Sequence, residues 1–278
     1  MIGALNQEIL SRSNASGKIL KDEIDKIGGI SNLLTKPFSI IENIVACLEL
    51  HIEQGKVLEQ KNIDIGIVRS IPSISRFSVE VNGKAGHSGT ILMDQRADAL
   101  VTSSEIITFV NKLASRLAKE SNQHFVSTIG KINVHPNAAA IIPGKVEMTI
   151  DLRASSKSSR DQYIKELEKQ IETMNQNGPC KIQMKNIAFA PYVEMDKELV
   201  KLFKISSDEY GFSNIIMDSG AGHDTAHLSR VAPASMIFVP CKDGLSHCPE
   251  EYAEISDISK GTAVLFQMVE KLAILDQN

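Results

Sequence analysis

Histidines are the residues of this 278-residue chain whose surroundings most suggest chemistry. Five of the seven lie next to glycine, next to acidic residues or at the end of a predicted strand: His51, His87, His223, His227 and His247. A single histidine is more often structural than functional, so each of these means little alone. The other two, His124 and His135, are assigned structural roles.

His51 and His247 mean more as a pair, because each follows a short apolar strand. Strand ends are where α/β sheets bind ligands and metal ions, and neutral imidazole is a good ligand for zinc. Zinc normally takes roughly three or four protein ligands, so two histidines leave the set open. The acidic neighbours that are candidates for further ligands, or simply for nearby charges, are Glu53, Asp224, Glu250 and Glu251.

The elements expected to position these histidines belong to an α/β domain. The nearly continuous apolar run IENIVACLEL predicts a buried strand with His51 at its end, and EQGKVLEQ predicts a helix directly after it. The first forty residues are predicted to be helical or irregular. After residue 190 the predicted elements are a helix in DKELVKLFKISSDEYG, a loop at SGAGHDTAH, a strand at ASMIFVPC and a last helix through AVLFQMVEKLAIL.

A different pattern fills the middle of the chain. Phe77, Val79 and Val81 alternate with polar residues, which indicates a half-exposed strand. A long amphipathic helix, two strands around the turn at Pro143-Gly144, a second helix and a last strand follow. This order is the split βαβ, ferredoxin-like arrangement. We therefore predict an α/β domain from residues 1–73 and 190–278, with a ferredoxin-like domain inserted at residues 74–189.

Composition restricts the partners. With 30 basic and 34 acidic residues, the net charge of −4 leaves no excess of cations for phosphates, so we expect no nucleic acid partner. No apolar run reaches the roughly 18 residues of a membrane span, and we expect a cytoplasmic protein. The four cysteines form no CxxC pair, which favours reduced thiols.

Five motifs then occur together and in order: ELHIEQG, GKAGHSGTILMDQRADAL, IIPGKVEMTIDLRA, SGAGHDTAH and DGLSHCPEE. From about residue 40 to its end, the chain resembles the zinc-dependent amidase, hydantoinase and carbamoylase family. That family includes N-carbamoyl amino acid amidohydrolases, allantoate amidohydrolases and β-ureidopropionases, and is related to the di-zinc aminopeptidases. The resemblance implies a di-zinc aminopeptidase-like catalytic domain, a ferredoxin-like lid domain that also forms a homodimer, and hydrolysis of N-carbamoyl amino acids or allantoate-like ureides.

The resemblance also implies roles for single residues. His51 and His247 would each ligate one of two metal ions, zinc or alternatively manganese. Arg153, in DLR, would bind the substrate carboxylate through its guanidinium fork. His87 would contact substrate and stabilise the oxyanion. The residues expected to bind substrate are Gln54, His87, Arg153 and His223.

The chain also departs from the family pattern. The upstream histidine ligand, the bridging aspartate and the Glu-Glu pair that supplies a ligand and the general base have no counterpart in residues 1–40. Ala140 replaces an asparagine that binds substrate, and Cys248 replaces the asparagine of SHN. The family's TTPM motif, which follows the histidine of HAG, is replaced here by TILM at residues Thr90 to Met93. We therefore expect a truncated chain that is inactive alone and needs a complementing N-terminal polypeptide.

Two other interpretations stay open from the sequence. The chain is a non-catalytic remnant or a dimerising module that binds small anions through Arg153, or it is a metallo-exopeptidase of the wider group. The HIEQG and GAGHD motifs argue against the exopeptidase. The particular ureide or carbamoyl amino acid is not decided by these motifs.

Overall fold

The structure is a computed structural model that describes residues 5–14, 16–36, 43–121 and 123–275. Part of the predicted strand IENIVACLEL, at residues 41–42, and part of the predicted N-terminal helical region, at residues 1–4 and 37–40, lie outside these ranges. The chain divides into two compact units. The first unit comprises Met1–Arg69, Met195–Ile216 and His223–Asn278, and the second comprises Ser70–Glu194 and Met217–Gly222.

The helices and strands follow in chain order. The α-helices are α1 (Gln7–Leu10), α2 (Leu20–Lys26), α3 (Val57–Lys61), α4 (Ala99–Glu120), α5 (Lys157–Asn177), α6 (Lys197–Glu209), α7 (Thr225–Leu228) and α8 (Ile255–Leu275). The β-strands are β1 (Cys47–Ile52), β2 (Ile65–Ile71), β3 (Ser73–Asn82), β4 (Gly86–His87), β5 (Phe125–His135), β6 (Ile141–Ile142), β7 (Lys145–Ala154), β8 (Lys181–Ala190), β9 (Val193–Glu194), β10 (Asn214–Asp218) and β11 (Ala234–Val239).

A mixed sheet forms the centre of the first unit, with the strand order β1-β11-β2-β10. β1 runs parallel to β11, whereas β11 and β2 are antiparallel. The sequence patterns had predicted β1 and β11 but had revealed neither β2 nor β10. Only Pro72 separates β2 from β3, so the two strands look like one stretch in the sequence.

One face of this sheet packs against α6 and α8. Ile67 and Ile237 from the sheet are fully buried against Phe203 of α6 and Met268 of α8. Leu48, Leu50 and Ile52 of β1 pack on the same core. Because side chains alternate along a strand, the other residues of β1 point to the opposite face of the sheet. Those residues are Cys47, Glu49 and His51.

The second unit contains an antiparallel sheet with the strand order β5-β7-β3-β8, which confirms the ferredoxin-like arrangement. Its buried face packs against α4 and α5, and Val146, Met148, Ile150 and Leu152 all point into that core. A separate two-stranded ladder joins β4 to β6 and pairs His87 with Ile141. β9 pairs with the last two residues of β2.

Two further findings concern the chain as a whole. Cys47, Cys180, Cys241 and Cys248 are all free thiols, as the sequence predicted. Of the helices within the described ranges, none is both long and apolar enough to cross a bilayer.

Candidate active site

Two imidazoles and a carboxylate meet on the open face of β1 in the first unit. Glu49 and His51 are two residues apart on that strand, and His223 reaches them from the loop before α7. One ligand atom from each of the three lies within 4.8 Å of the others. The His51 and His223 ring centroids are 4.8 Å apart, and Nδ1 of His223 lies 3.8 Å from Oε1 of Glu49. Two nitrogen donors and one oxygen donor suit a divalent metal such as zinc, so the group fits the metal that the family resemblance implies.

A hydrogen bond of His51 and the pKa of His223 both suit a metal-ligating role. Nδ1 of His51 lies 2.8 Å from the carbonyl oxygen of Ile52. A carbonyl only accepts hydrogen bonds, so in the neutral ring Nδ1 carries the proton and Nε2 keeps a lone pair. Burial, with a smaller electrostatic contribution from the neighbouring imidazole of His51, lowers the pKa of His223 to about 4. His223 is therefore neutral at neutral pH, as a metal ligand must be.

Glu49 is held in place by the start of α7. The backbone N–H of Thr225 donates to Oε2 of Glu49 at 3.0 Å, and the Thr225 hydroxyl donates to the same oxygen. Thr225 is 1% exposed, so water does not compete for these bonds. Outer residues that orient a ligand in this way are typical of metal sites. Glu49 was not among the ligands predicted from the sequence, although its spacing of two residues from His51 on a strand was a usable signal.

A second group joins the HIEQG loop to the loop that carries His247. Nε2 of Gln54 donates to the Ser246 hydroxyl at 2.7 Å. Ser246 in turn donates to Oε2 of Glu251 at 2.8 Å, and the backbone N–H of His247 donates to the same oxygen at 3.0 Å. These bonds lower the pKa of Glu251, the Ser246 hydroxyl being the main cause. Gln54 and Glu251 thus hold the side chain of Ser246, and Glu251 also holds the backbone N–H of His247.

Backbone strain marks the same two loops. Gln54, Asp243 and His247 have φ values of 56°, 56° and 58°, in the left-handed region that non-glycine residues rarely adopt. Such outliers cluster at functional sites, where the surrounding structure holds them. The loops also approach closely, since a Cβ at Gly244 would stand 2.8 Å from the carbonyl carbon of Gly55.

The two proposed metal ligands are not found in one group. Within the ranges that the structure describes, the three-residue group contains His51 but not His247. Of the acidic neighbours, Glu53 accepts hydrogen bonds from the backbone N–H groups of Val57 and Leu58 at 2.9 and 2.8 Å, so it caps α3. A capping role explains why its carboxylate is almost buried.

His87 in the second unit has the opposite tautomer to His51. The backbone N–H of Gly89 donates to its Nδ1 at 3.0 Å, so in the neutral ring Nε2 carries the proton. His87 therefore presents a donor, which suits an oxyanion, rather than a lone pair for a metal. Ala140, at the position where the family has an asparagine, accepts from the backbone N–H of Ser88 at 3.0 Å and so lies beside His87.

Arg153 lies on the open face of the sheet in the second unit. Its Nε donates to Oδ1 of Asp151 at 3.0 Å, and its Nη1 donates to the carbonyl oxygen of Gly220 at 3.0 Å. The side chain is 30% exposed, so solvent and small anions reach the guanidinium. Asp151, which the sequence had not indicated, is therefore the direct neighbour of the predicted carboxylate-binding residue.

The chain belongs to the peptidase family M20/M25/M40, whose model matches residues 19–271. It is 38% identical over 232 residues to an N-carbamoyl-L-amino-acid amidohydrolase from Pseudomonas sp. strain NS671, a match that covers 83% of this chain and 55% of the relative. It is 37% identical over 236 residues to an allantoate amidohydrolase from Bacillus subtilis, with the same two coverages.

A solved structure agrees with these relatives. The amidase of the hydantoinase/carbamoylase family from Burkholderia multivorans superposes with a TM-score of 0.81 and 30% identity over 96% of this chain and 63% of that one. The resemblance to the amidase and carbamoylase group, and the fold class, are thereby confirmed. The chain spans little more than half the length of the two curated relatives.

Proposed function

We propose that this chain forms the metal-binding and substrate-binding part of an amidohydrolase that cleaves non-peptide C–N bonds of N-carbamoyl amino acids or allantoate-like ureides. The observation that supports this most is the group of Glu49, His51 and His223, in which Nδ1 of His51 contacts a backbone carbonyl and burial keeps His223 neutral at neutral pH. The names of the relatives from Pseudomonas and Bacillus subtilis indicate the substrate class.

In this proposal the first unit holds the metal. Nε2 of His51 and Oε1 of Glu49 would hold one divalent ion, zinc or alternatively manganese, with His223 beside them. When bound, such an ion would supply Lewis-acid polarisation of the ureido carbonyl and activation of a water molecule. His247 is the proposed ligand for a second ion, and Gln54 positions that loop while its remaining N–H contacts substrate.

The residues of the second unit act on the substrate itself. Arg153 binds the carboxylate of the amino acid through the N–H groups that Asp151 and Gly220 leave available. His87 donates its Nε2 proton in a hydrogen bond to the carbonyl oxygen as negative charge develops there. Without a residue assigned as general base in the described part of the chain, we propose that the isolated chain is inactive.

We further propose that a complementing polypeptide covers the free side of β1. Among the described strands, β1 has one neighbour, β11, and an open edge. A groove of about 410 Å³ beside it is lined by Leu48 of β1 and by Val269 and Leu272 of α8, among other apolar residues. The outer face of α8 continues this surface with large exposed residues at helical spacing: Ile255, Ile258, Phe266 and Val269. An open edge beside an apolar surface favours pairing with further chain.

The first experiment measures metal content and hydrolysis together. The chain is purified with and without a co-expressed segment from the Pseudomonas relative, namely the part of it that this chain does not match. Zinc per chain is measured by atomic emission, and release of free amino acid from an N-carbamoyl amino acid is assayed. We expect about one zinc on the chain alone, a second on complementation, and hydrolysis only in the complemented protein.

His51→Ala is the critical variant, and His135→Ala, an exposed histidine outside the group, is its matched control. Loss of zinc from the first and not from the second supports the assignment. Equal zinc contents in both variants refute it. Metal and carboxylate binding without any hydrolysis after complementation would instead favour the second candidate, a small-anion-binding module, for which the accessible guanidinium of Arg153 is the supporting observation.

Docking of the complementing segment on the α8 groove is tested with variants at two valines of similar exposure. Val269→Glu places a charge in the α8 groove, whereas Val101→Glu places one on α4 of the second unit, and the two valines are 54% and 56% exposed. We expect only Val269→Glu to prevent co-purification of the complementing segment. A second copy of this chain on the α8 groove would appear as a dimer that Val269→Glu dissociates, and would contradict the complementing partner.

Residues 74–189, which carry the ferredoxin-like sheet, are the proposed homodimer interface, and we propose a cytoplasmic location. Removal of the dimer in a variant altered on the exposed edge of β8, with Val269 intact, would support that interface. A dimer that persists in this variant would refute it.

A further inference from the structure

An aspartate between two arginines lies on the open face of the sheet in the second unit. Asp151 and Arg153 are two residues apart on β7, so their side chains project from the same face, opposite the buried Ile150 and Leu152. Arg76 of β3 is directly opposite Asp151 in the strand register. Oδ1 of Asp151 accepts from Nε of Arg153 at 3.0 Å, and Oδ2 accepts from Nε of Arg76 at 2.8 Å.

The contacts of Arg153 occupy two specific parts of its guanidinium. Nε is bound to Asp151, and one N–H of Nη1 is bound to the carbonyl of Gly220. A guanidinium has five N–H donors in one plane, so two fixed contacts set the orientation of the others. Within the described part of the chain, Nη2 makes no hydrogen bond. The group is thus held by two acceptors while one side remains available for a carboxylate.

We infer that Asp151 is a positioning residue, which orients the guanidinium of Arg153 before the substrate carboxylate arrives and so contributes to recognition of carboxylate-bearing substrates. This inference rests on the proposed carboxylate-binding role of Arg153. Preorganisation lowers the entropy that a ligand must remove when it binds a flexible side chain. Arginine is long and rotamer-rich, so the effect is larger than for a short side chain.

The charge of Asp151 and its proposed positioning role predict opposite changes in anion affinity when Asp151 is replaced by asparagine, so the two can be told apart. Asp151→Asn removes a negative charge beside Arg153, and on charge alone this change should tighten the binding of an anion. If Asp151 positions Arg153, the same change should weaken binding, because the amide binds Nε less strongly and no longer fixes the fork. Glu147→Gln is the matched control. It also removes a carboxylate from this face of β7, but the carboxylate of Glu147 contacts Lys145 and not Arg153.

The experiment is calorimetric titration of the full chain, loaded with zinc, with an N-carbamoyl amino acid and with its carboxamide analogue. We expect Asp151→Asn to weaken carboxylate binding by about 2- to 10-fold, with no change for the carboxamide and none in Glu147→Gln. In the complemented protein, the same variant should raise KM and leave kcat unchanged. The NMR signal of the Arg153 Nε–H group should also lose its hydrogen-bonded shift in Asp151→Asn alone.

The outcomes separate this inference from the proposal on which it rests. If Arg153→Ala leaves carboxylate binding unchanged, or the unsubstituted chain binds no ligand, the role of Arg153 fails and the inference fails with it. If Arg153→Ala abolishes binding while Asp151→Asn leaves it unchanged or tightens it, only the positioning role of Asp151 is overturned.

Discussion

Thr225 provides a direct test of the metal group because it contacts a ligand without being one. Its backbone N–H and its hydroxyl both donate to Oε2 of Glu49, which leaves Oε1 facing His223. Thr225→Val removes the hydroxyl at almost constant volume, and Thr225→Ser keeps a hydroxyl. Thr225→Val keeps the buried volume but loses the side-chain hydrogen bond to the carboxylate, whereas Thr225→Ser keeps that bond and loses a methyl group.

The expected loss of metal affinity in Thr225→Val depends on the hydrogen bonds that Glu49 keeps. Loss of an outer partner of a metal ligand typically weakens metal binding by about 10- to 100-fold. Because the backbone N–H of Thr225 still donates to Glu49 at 3.0 Å, we expect the lower end of that range. About 10-fold corresponds to about 1.4 kcal/mol of binding free energy. Thr225→Ser should bind metal as the unsubstituted chain does.

The assay is titration of the metal-free chain with zinc, and then with manganese, at pH 7.5, with circular dichroism to verify that each variant is folded. Equal zinc affinities of folded Thr225→Val and Thr225→Ser would show that Glu49 does not need its hydroxyl partner, and would refute the reasoning. Failure of the unsubstituted chain to bind either metal would refute the three-residue group as a whole.

Three further predictions concern stability, each measured by urea denaturation. Gly261→Ala should destabilise the chain by about 1 kcal/mol, because the added Cβ would lie 2.6–2.7 Å from side chains of β1 and β11 and this overpacking outweighs the gain in helix propensity. Gly130→Ala is the control and should change stability little, because the added Cβ would have no neighbouring atom within 4 Å. Glu53→Ala should lower the free energy of unfolding by about 2–3 kcal/mol, because it removes a charged acceptor from two backbone N–H groups of α3. Replacement of the exposed Glu105 by alanine should change it by no more than about 0.5 kcal/mol, and equal losses in the two variants would contradict the capping role. Burial lowers the pKa of His124, so the unfolded chain binds the proton more readily and stability should fall as pH drops below about 6.5. His124→Gln should make that fall shallower, with His223 accounting for part of what remains, and an unchanged pH dependence would contradict this assignment.

The fold of the second unit could be predicted almost entirely from the sequence. Val146, Met148, Ile150 and Leu152 alternate with polar residues, and all four are 2% exposed or less. Each strand and helix there has one face on the core and one face in solvent, so the period of the pattern identifies the element. The first unit was harder to predict, because β2 is buried on both faces and runs through a single proline into β3.

The candidate site could be predicted less completely. His51 was expected at a strand end and lies one residue from the end of β1. Its neighbour Glu49 needed only the alternation rule, but His223 is distant in sequence and reaches the site because α7 packs against β1 and β11. The tautomers of His51 and His87 depend on single backbone contacts that no sequence pattern encodes. The grouping of residues is therefore a property of the tertiary fold.

The arrangement of β1 links the two halves of the proposed function. One face of the strand packs on the core, the other carries Glu49 and His51, and the edge that no described strand pairs with borders the α8 groove. A segment that pairs with this edge would run beside the two ligands and would be placed to add others. Binding of metal and binding of the segment would then be thermodynamically coupled, and the coupling must be reciprocal. The factor by which the segment tightens zinc binding should therefore equal the factor by which zinc tightens binding of the segment.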